Sequence, residues 1–152
     1  MFRSLPLLFR KPSYFVPICK NSIVKPIEFA DIQTDGSYSM GRISRTAVIL
    51  NTISGEQYKL VNTYFNHADA TESEWCSVLN GLVYSLKKGQ KALFLENDNL
   101  GVMTSIIRRE PPAKKYYYTY YDNIHDQLGA FHWVEVRWIP REMNRADKLF
   151  RI

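Results

Sequence analysis

Three strand-like runs follow one another between residues 27 and 66 with only turn-length gaps, and this succession constrains the fold more than any other feature. IEFADIQTDGSY, starting at Ile27, alternates as a first strand should, with Gly36 and Ser37 as the turn residues that close it. GRISRTAVILNT (41–52) and QYKLVNTYFN (57–66) come next, and Ser54-Gly55 between them predicts an antiparallel hairpin. The three runs are expected to lie side by side as a meander.

The pattern then changes to alternating helices and strands. Trp75, Val78, Leu79, Leu82, Val83 and Leu86 recur at the spacing of one helical face, Thr71 stands at the N-cap position, and Lys87, Lys88 and Gly89 close the helix. ALFLEND (92–98) is a short apolar run of the kind found in a buried central strand. A second helix is expected over 100–109, ending before Pro111-Pro112, and a third over 113–129. WVEVRWIP (133–140) alternates as a strand, and Asn144 opens a last short helix. The order β-β-β-α-β-α-α-β-α predicts an α/β fold. Its mixed five-stranded sheet combines a three-strand antiparallel meander with parallel strands and is flanked by helices.

Composition bounds the rest. The 152 residues are 45% hydrophobic, enough for one packed core, and no apolar run approaches the roughly 20 residues of a membrane-spanning helix. The net charge of +5 is unevenly placed. Residues 1–26 hold Arg3, Arg10, Lys11, Lys20 and Lys25 and no acid, which leaves 15 basic against all 15 acidic residues in 27–152. The chain therefore divides into a basic extension, 1–26, and a formally neutral domain, 27–152. Spaced arginines without acids suit a mitochondrial targeting segment, while Pro6, Pro12 and Pro17 suit a partner-binding arm, and both readings stand. Cys19 and Cys76 are too few and too far apart for a disulfide framework or a zinc site.

Four acidic residues fall at element ends: Asp35 in the first strand, Glu74 in the first turn of the first helix, Asp98 at the end of the fourth strand and Asp147 in the first turn of the last helix. Adjacent first and fourth strands would gather them in one cleft. Gathered carboxylates repel one another unless cations neutralise them. An all-oxygen set suits Mg²⁺, with Mn²⁺ as a substitute, and a pair of such ions can activate water against a phosphodiester. Each carboxylate also has a local use. Glu74 could belong to a capping box with Thr71, Asp98 and Asp147 could favour helix N-termini, and Asp35 could serve a turn beside Gly36.

TDGSY, TESEW followed by CSVLNGL, LENDNL and IPREMNRADKL together resemble four motifs of the ribonuclease H family, in order, over residues 28–150. The last resembles the ending of the plant, archaeal and retroelement-associated branch. The resemblance implies that Asp35, Glu74, Asp98 and Asp147 are the metal-binding catalytic set. It also implies cleavage of the RNA strand of RNA·DNA hybrids, leaving a 3′-hydroxyl and a 5′-phosphate. Two features depart from the family. Asn144 and Asp147 are three residues apart where four is usual, and residues 140–144 hold no loop histidine. One residue of an α-helix is about 100°, so two geometries are open: Asp147 reaches the cleft if the helix starts one residue early, with Met143 ending the loop, and turns away from it if Asn144 caps the helix and Asp147 takes the N3 position. The short ending and neutral body also suit a second function, a catalytically inactive member that binds RNA or protein partners in a larger ribonucleoprotein assembly.

Other polar residues carry weaker signals. Glu72 and Glu96 are reserve carboxylates at the cleft rim. His67, His125 and His132 show no ligand spacing. In KKYYYTYY (114–121), helical spacing puts Tyr117, Tyr120, Tyr121, Ile124 and Leu128 on the core face and leaves Tyr116 and Tyr118 outward. Arg108, Arg109, Lys114 and Lys115 bracket the Pro-Pro turn as a candidate nucleic-acid-contacting patch, or simply a solvated surface.

Overall fold

The computed structural model describes residues 13–15, 25–39, 41 and 43–151. The five expected strands are all present: β2 (Ala30–Ser39), β3 (Ile43–Asn51), β4 (Gln57–Tyr64), β5 (Ala92–Asn97) and β6 (Trp133–Trp138). A sixth, β1 (Ser13–Phe15), comes from the stretch read as an extension and pairs antiparallel with β6. The sheet order is β1-β6-β5-β2-β3-β4. β2, β3 and β4 form the antiparallel meander, and β5 lies parallel to both β2 and β6.

Gly36 and Ser37 do not end the first strand, which runs on to Ser39. Gly36 is required there by space. A Cβ on it would stand 2.6 Å from the carbonyl carbon of Ser73 and 2.7 Å from the amide nitrogen of Glu74. The reversal falls later, near Gly41, whose φ of +90° suits glycine.

Helices α1 (Ala70–Lys87), α2 (Leu100–Arg108) and α3 (Tyr118–Leu128) cover one face. Ile32, Val48, Leu50, Leu93, Leu95, Val134 and Val136 pack there against Trp75, Val78, Leu82, Val102, Ile106, Ile124 and Leu128. Tyr117 is buried in this core with Tyr120 and Tyr121 packed against it, while Tyr116 and Tyr118 stay 46% and 38% exposed, as their spacing predicts. The third helix starts later than expected, because a 3-10 turn over Lys115–Tyr117 carries the chain out of the proline pair. Cys76 is buried as a free thiol, and Cys19 lies outside the described residues.

The opposite face is more thinly covered. Ala47 and Ile49 meet Ala146, Leu149 and the partly buried Phe150 from the closing segment. That segment is not α-helical. It consists of 3-10 stretches over Arg141–Met143 and Arg145–Arg151, joined at Asn144 in extended backbone.

Candidate metal centre

The centre lies where β2 and β5 part. Their pairing ends at Gln33 and Glu96, and beyond it the strands diverge. The buried Asn97 spans the gap, its Nδ2 donating to the Thr34 carbonyl and hydroxyl, both at 2.9 Å. Ligand sites in such sheets form outside the carboxyl ends of parallel strands. Here Asp35 and Asp98 flank the opening.

Glu74 enters from α1. That helix begins earlier than expected: Asp69 is its N-cap, accepting from the Glu72 amide at 2.8 Å, and Glu72 reaches back to the Ala68 amide at 2.7 Å. Thr71 is therefore not the cap. Capping is complete without Glu74, which turns inward and accepts from the Gly36 amide at 2.8 Å. Oxygens of Asp35, Glu74 and Asp98 lie within 4.8 Å of one another.

Asp147 completes the group by a route that the α-helical expectation missed. Asn144 does cap the closing stretch, accepting from the Ala146 amide at 3.1 Å. The stretch that follows is a 3-10 helix with 3.0 residues per turn in place of 3.6, so the α-helical angle does not apply to it. Asp147 lines the same cleft as Asp35, and its charge raises that carboxyl. Arg151 pairs with Asp147 at 3.0 Å.

The electrostatics are those of crowded, half-dry carboxylates. Burial, then the charges of Asp98 and Asp147, push Asp35 up to about 7. Burial, then Asp35 and Asp98, push Glu74 up to about 8, against the Gly36 and Asn97 hydrogen bonds. Asp98 is raised by burial, moderated by Asn144 and the Arg141 guanidinium. The four carboxylates line a cleft of about 350 Å³ with Arg141 and Asn99 on its wall. An all-oxygen set whose members are destabilised by each other's charge fits a hard divalent cation.

A family model described as reverse transcriptase-like matches residues 33–150. The chain belongs to this ribonuclease H-like family. No curated protein matches the chain by sequence. Among solved structures, it is similar to the N-terminal RNase H domain of rv2228c from Mycobacterium tuberculosis, at 17% identity and a TM-score of 0.72, covering 80% of this chain and 90% of that one. RNase H1 from Halobacterium salinarum NRC-1 gives 17% identity and a TM-score of 0.72, over 79% and 92%. LC11-RNase H1, solved with an RNA/DNA hybrid, gives 16% and 0.63, over 79% and 92%. The shared fold is that of ribonuclease H.

The reserve carboxylates stand apart from the family cluster. Glu72 is held by the Tyr120 hydroxyl at 2.7 Å, and Glu96 by Gln33 at 3.1 Å with Arg137 at 3.8 Å. His67 is buried against Tyr64 and shares a 2.7 Å hydrogen bond with Ser44, away from the acids. Arg108, Arg109, Lys114 and Lys115 are exposed together around the Pro-Pro turn. Beside them runs a groove of about 360 Å³ lined by Thr71, Trp75, Asn99, Ser105, Lys114 and Tyr117, and Asn99 also lines the carboxylate cleft. Sequence reasoning passed over Asn97 and Gln33. Their one visible signal was polarity, in a run reading Asp31, Gln33, Asp35 on alternate positions and in two asparagines around Asp98.

Proposed function

We propose that this chain is an Mg²⁺-dependent endonuclease that hydrolyses the RNA strand of RNA·DNA hybrids, leaving a 3′-hydroxyl and a 5′-phosphate. The observation that carries this reading is the convergence of Asp35, Glu74, Asp98 and Asp147 in one open cleft, two of them raised to about 7 and about 8 by burial and mutual charge. Similarity to proteins described as RNase H, one of them solved with an RNA/DNA hybrid, supports the substrate.

These four carboxylates would hold the cation, with Mn²⁺ as a substitute. Bound there, it supplies an activated water and charge for the departing oxygen. The protein's own groups do the rest. Asn97 holds β2 and β5 at a fixed opening through Thr34, and the Gly36 amide orients Glu74. Arg141, on the cleft wall, meets the phosphate and offsets its charge beside Asp98. The groove that shares Asn99 leads the nucleic acid toward Arg108, Arg109, Lys114 and Lys115, whose phosphate contacts add affinity without sequence preference.

The test is incubation of the purified chain with a hybrid labelled on its RNA strand, in Mg²⁺ and in Mn²⁺, beside single-stranded RNA and duplex DNA. Endonucleolytic RNA products ending in 3′-hydroxyls, from the hybrid alone, are expected. Tight binding of RNA with no cleavage in either metal would contradict this reading and leave the non-catalytic ribonucleoprotein component.

A further inference from the structure

The closing segment bears Asp147, yet little in its own make-up holds it in place. Its 3-10 hydrogen bonds are poorer than α-helical ones. Among the described residues, its apolar anchors are Ala146, Leu149 and Phe150. Polar contacts with the sheet add to these anchors, and three of them fall on one side chain.

Gln33 is 6% exposed and lies on β2 two residues before Asp35, on the same face. Its Nε2 donates to the Met143 carbonyl at 3.4 Å. Its Oε1 accepts from the Arg145 amide at 2.9 Å and from Arg145 Nε at 3.2 Å. The amide thus bridges the last carbonyl of one 3-10 stretch and the first amide of the next. A primary amide offers both donors and an acceptor, which a carboxylate or an apolar side chain cannot. Its orientation is set by Glu96, whose carboxylate accepts from Nε2 at 3.1 Å and so keeps the oxygen toward Arg145. Between the two clamped residues, Asn144 Nδ2 donates to the Thr34 carbonyl at 2.9 Å, and Arg145 Nη2 lies 3.5 Å from Asp31.

We propose that Gln33 is a positioning residue: it clamps the Met143–Arg145 turn against β2 so that the 3-10 stretch presents Asp147 to Asp35 in the cation site. Gln33 itself does not line the cleft; it acts through the segment. The proposal rests on reading the four carboxylates as a cation site, and it adds what keeps the fourth member in place despite the short spacing from Asn144.

The test uses the full chain with Gln33→Met, which keeps the volume and removes the amide. Gln33→Glu, which keeps the acceptor and removes the donor, is the second variant. Each is made alone and with Asp147→Asn, and Mn²⁺ affinity is titrated by electron paramagnetic resonance alongside a thermal melt. Each single variant is expected to weaken Mn²⁺ binding about 10-fold, as loss of a residue supporting a ligand does. In the Asp147→Asn background the same changes should have almost no further effect, because the ligand they position is gone. An equal loss in both backgrounds, or unchanged affinity in the singles, overturns the proposal and leaves the cation site standing. Wild-type protein that binds no Mn²⁺ overturns the cation site itself, and the proposal with it.

Discussion

Asp35 and Glu74 hold protons at pH values where ordinary carboxylates have lost them, with values pushed up to about 7 and about 8 by burial first and neighbouring charge second. In the unfolded chain both groups ionise near pH 4. Between about pH 4 and 8 the folded, cation-free protein binds more protons than the unfolded chain, so the site's contribution to stability falls as pH rises. We expect the melting temperature without metal to fall from pH 6 to pH 8.5 and to fall less in Glu74→Gln. A cation must displace those protons, so Mn²⁺ affinity should rise over the same range, with proton uptake by the buffer detectable calorimetrically. An affinity independent of pH would contradict the assigned protonation. The four carboxylates that the cleft gathers could be picked out in the sequence, because each stands in a motif. Their titration was not, since it depends on burial and on charges that the fold brings from distant parts of the chain.

At the scale of elements, strands and helices followed from alternation and periodicity, and three departures trace to contacts that the sequence pattern does not show. Gly36 reads as a turn residue, yet it sits in mid-strand because α1 passes too near for any side chain. Gly36→Ala puts a methyl 2.6 Å from the Ser73 backbone. Such overpacking costs about 1–3 kcal/mol, and lifting α1 would also pull Glu74 from the Gly36 amide. A urea titration with unchanged m-value and lower midpoint, together with weaker Mn²⁺ binding, is the expected outcome. Thr71 reads as an N-cap, but Asp69, backed by the hydroxyls of Tyr116 and Tyr117, takes that role and leaves Glu74 for the site. The closing segment reads as an α-helix from Asn144, and local pattern alone does not separate one 3-10 turn from the start of an α-helix. Here the decision belongs to Gln33 and Thr34, more than a hundred residues earlier in the chain.

For the whole molecule, the division at residue 26 places a basic, acid-free stretch beside a neutral domain. The fold blurs that line. Ser13–Phe15 adds a strand to the β6 edge, and Lys25 reaches the buried Glu135 at 3.0 Å, where Arg137 pairs with its other oxygen at 3.0 Å. Deleting residues 1–26 would strip both. Glu135 keeps Arg137 as a partner, so loss of the half-exposed Lys25 costs about 1 kcal/mol. For a domain of this size that predicts a fall in melting temperature of about 2–4 °C, and an unchanged melt would show the stretch to be dispensable to the fold. We propose that its positive charges serve either mitochondrial targeting or a polyanion contact. Mass spectrometry of the mature N-terminus separates the two: a start near residue 20–30 indicates targeting, and retention of Met1 or Phe2 indicates an arm. The central claim is simpler to test than any of these. Single-turnover cleavage of an RNA·DNA hybrid should be measured for wild type and Asp35→Asn at saturating Mg²⁺, with circular dichroism on both. Loss of at least about a thousandfold in rate, roughly 4 kcal/mol of barrier, with an unchanged fold is predicted. Cleavage by Asp35→Asn at the wild-type rate would contradict the account.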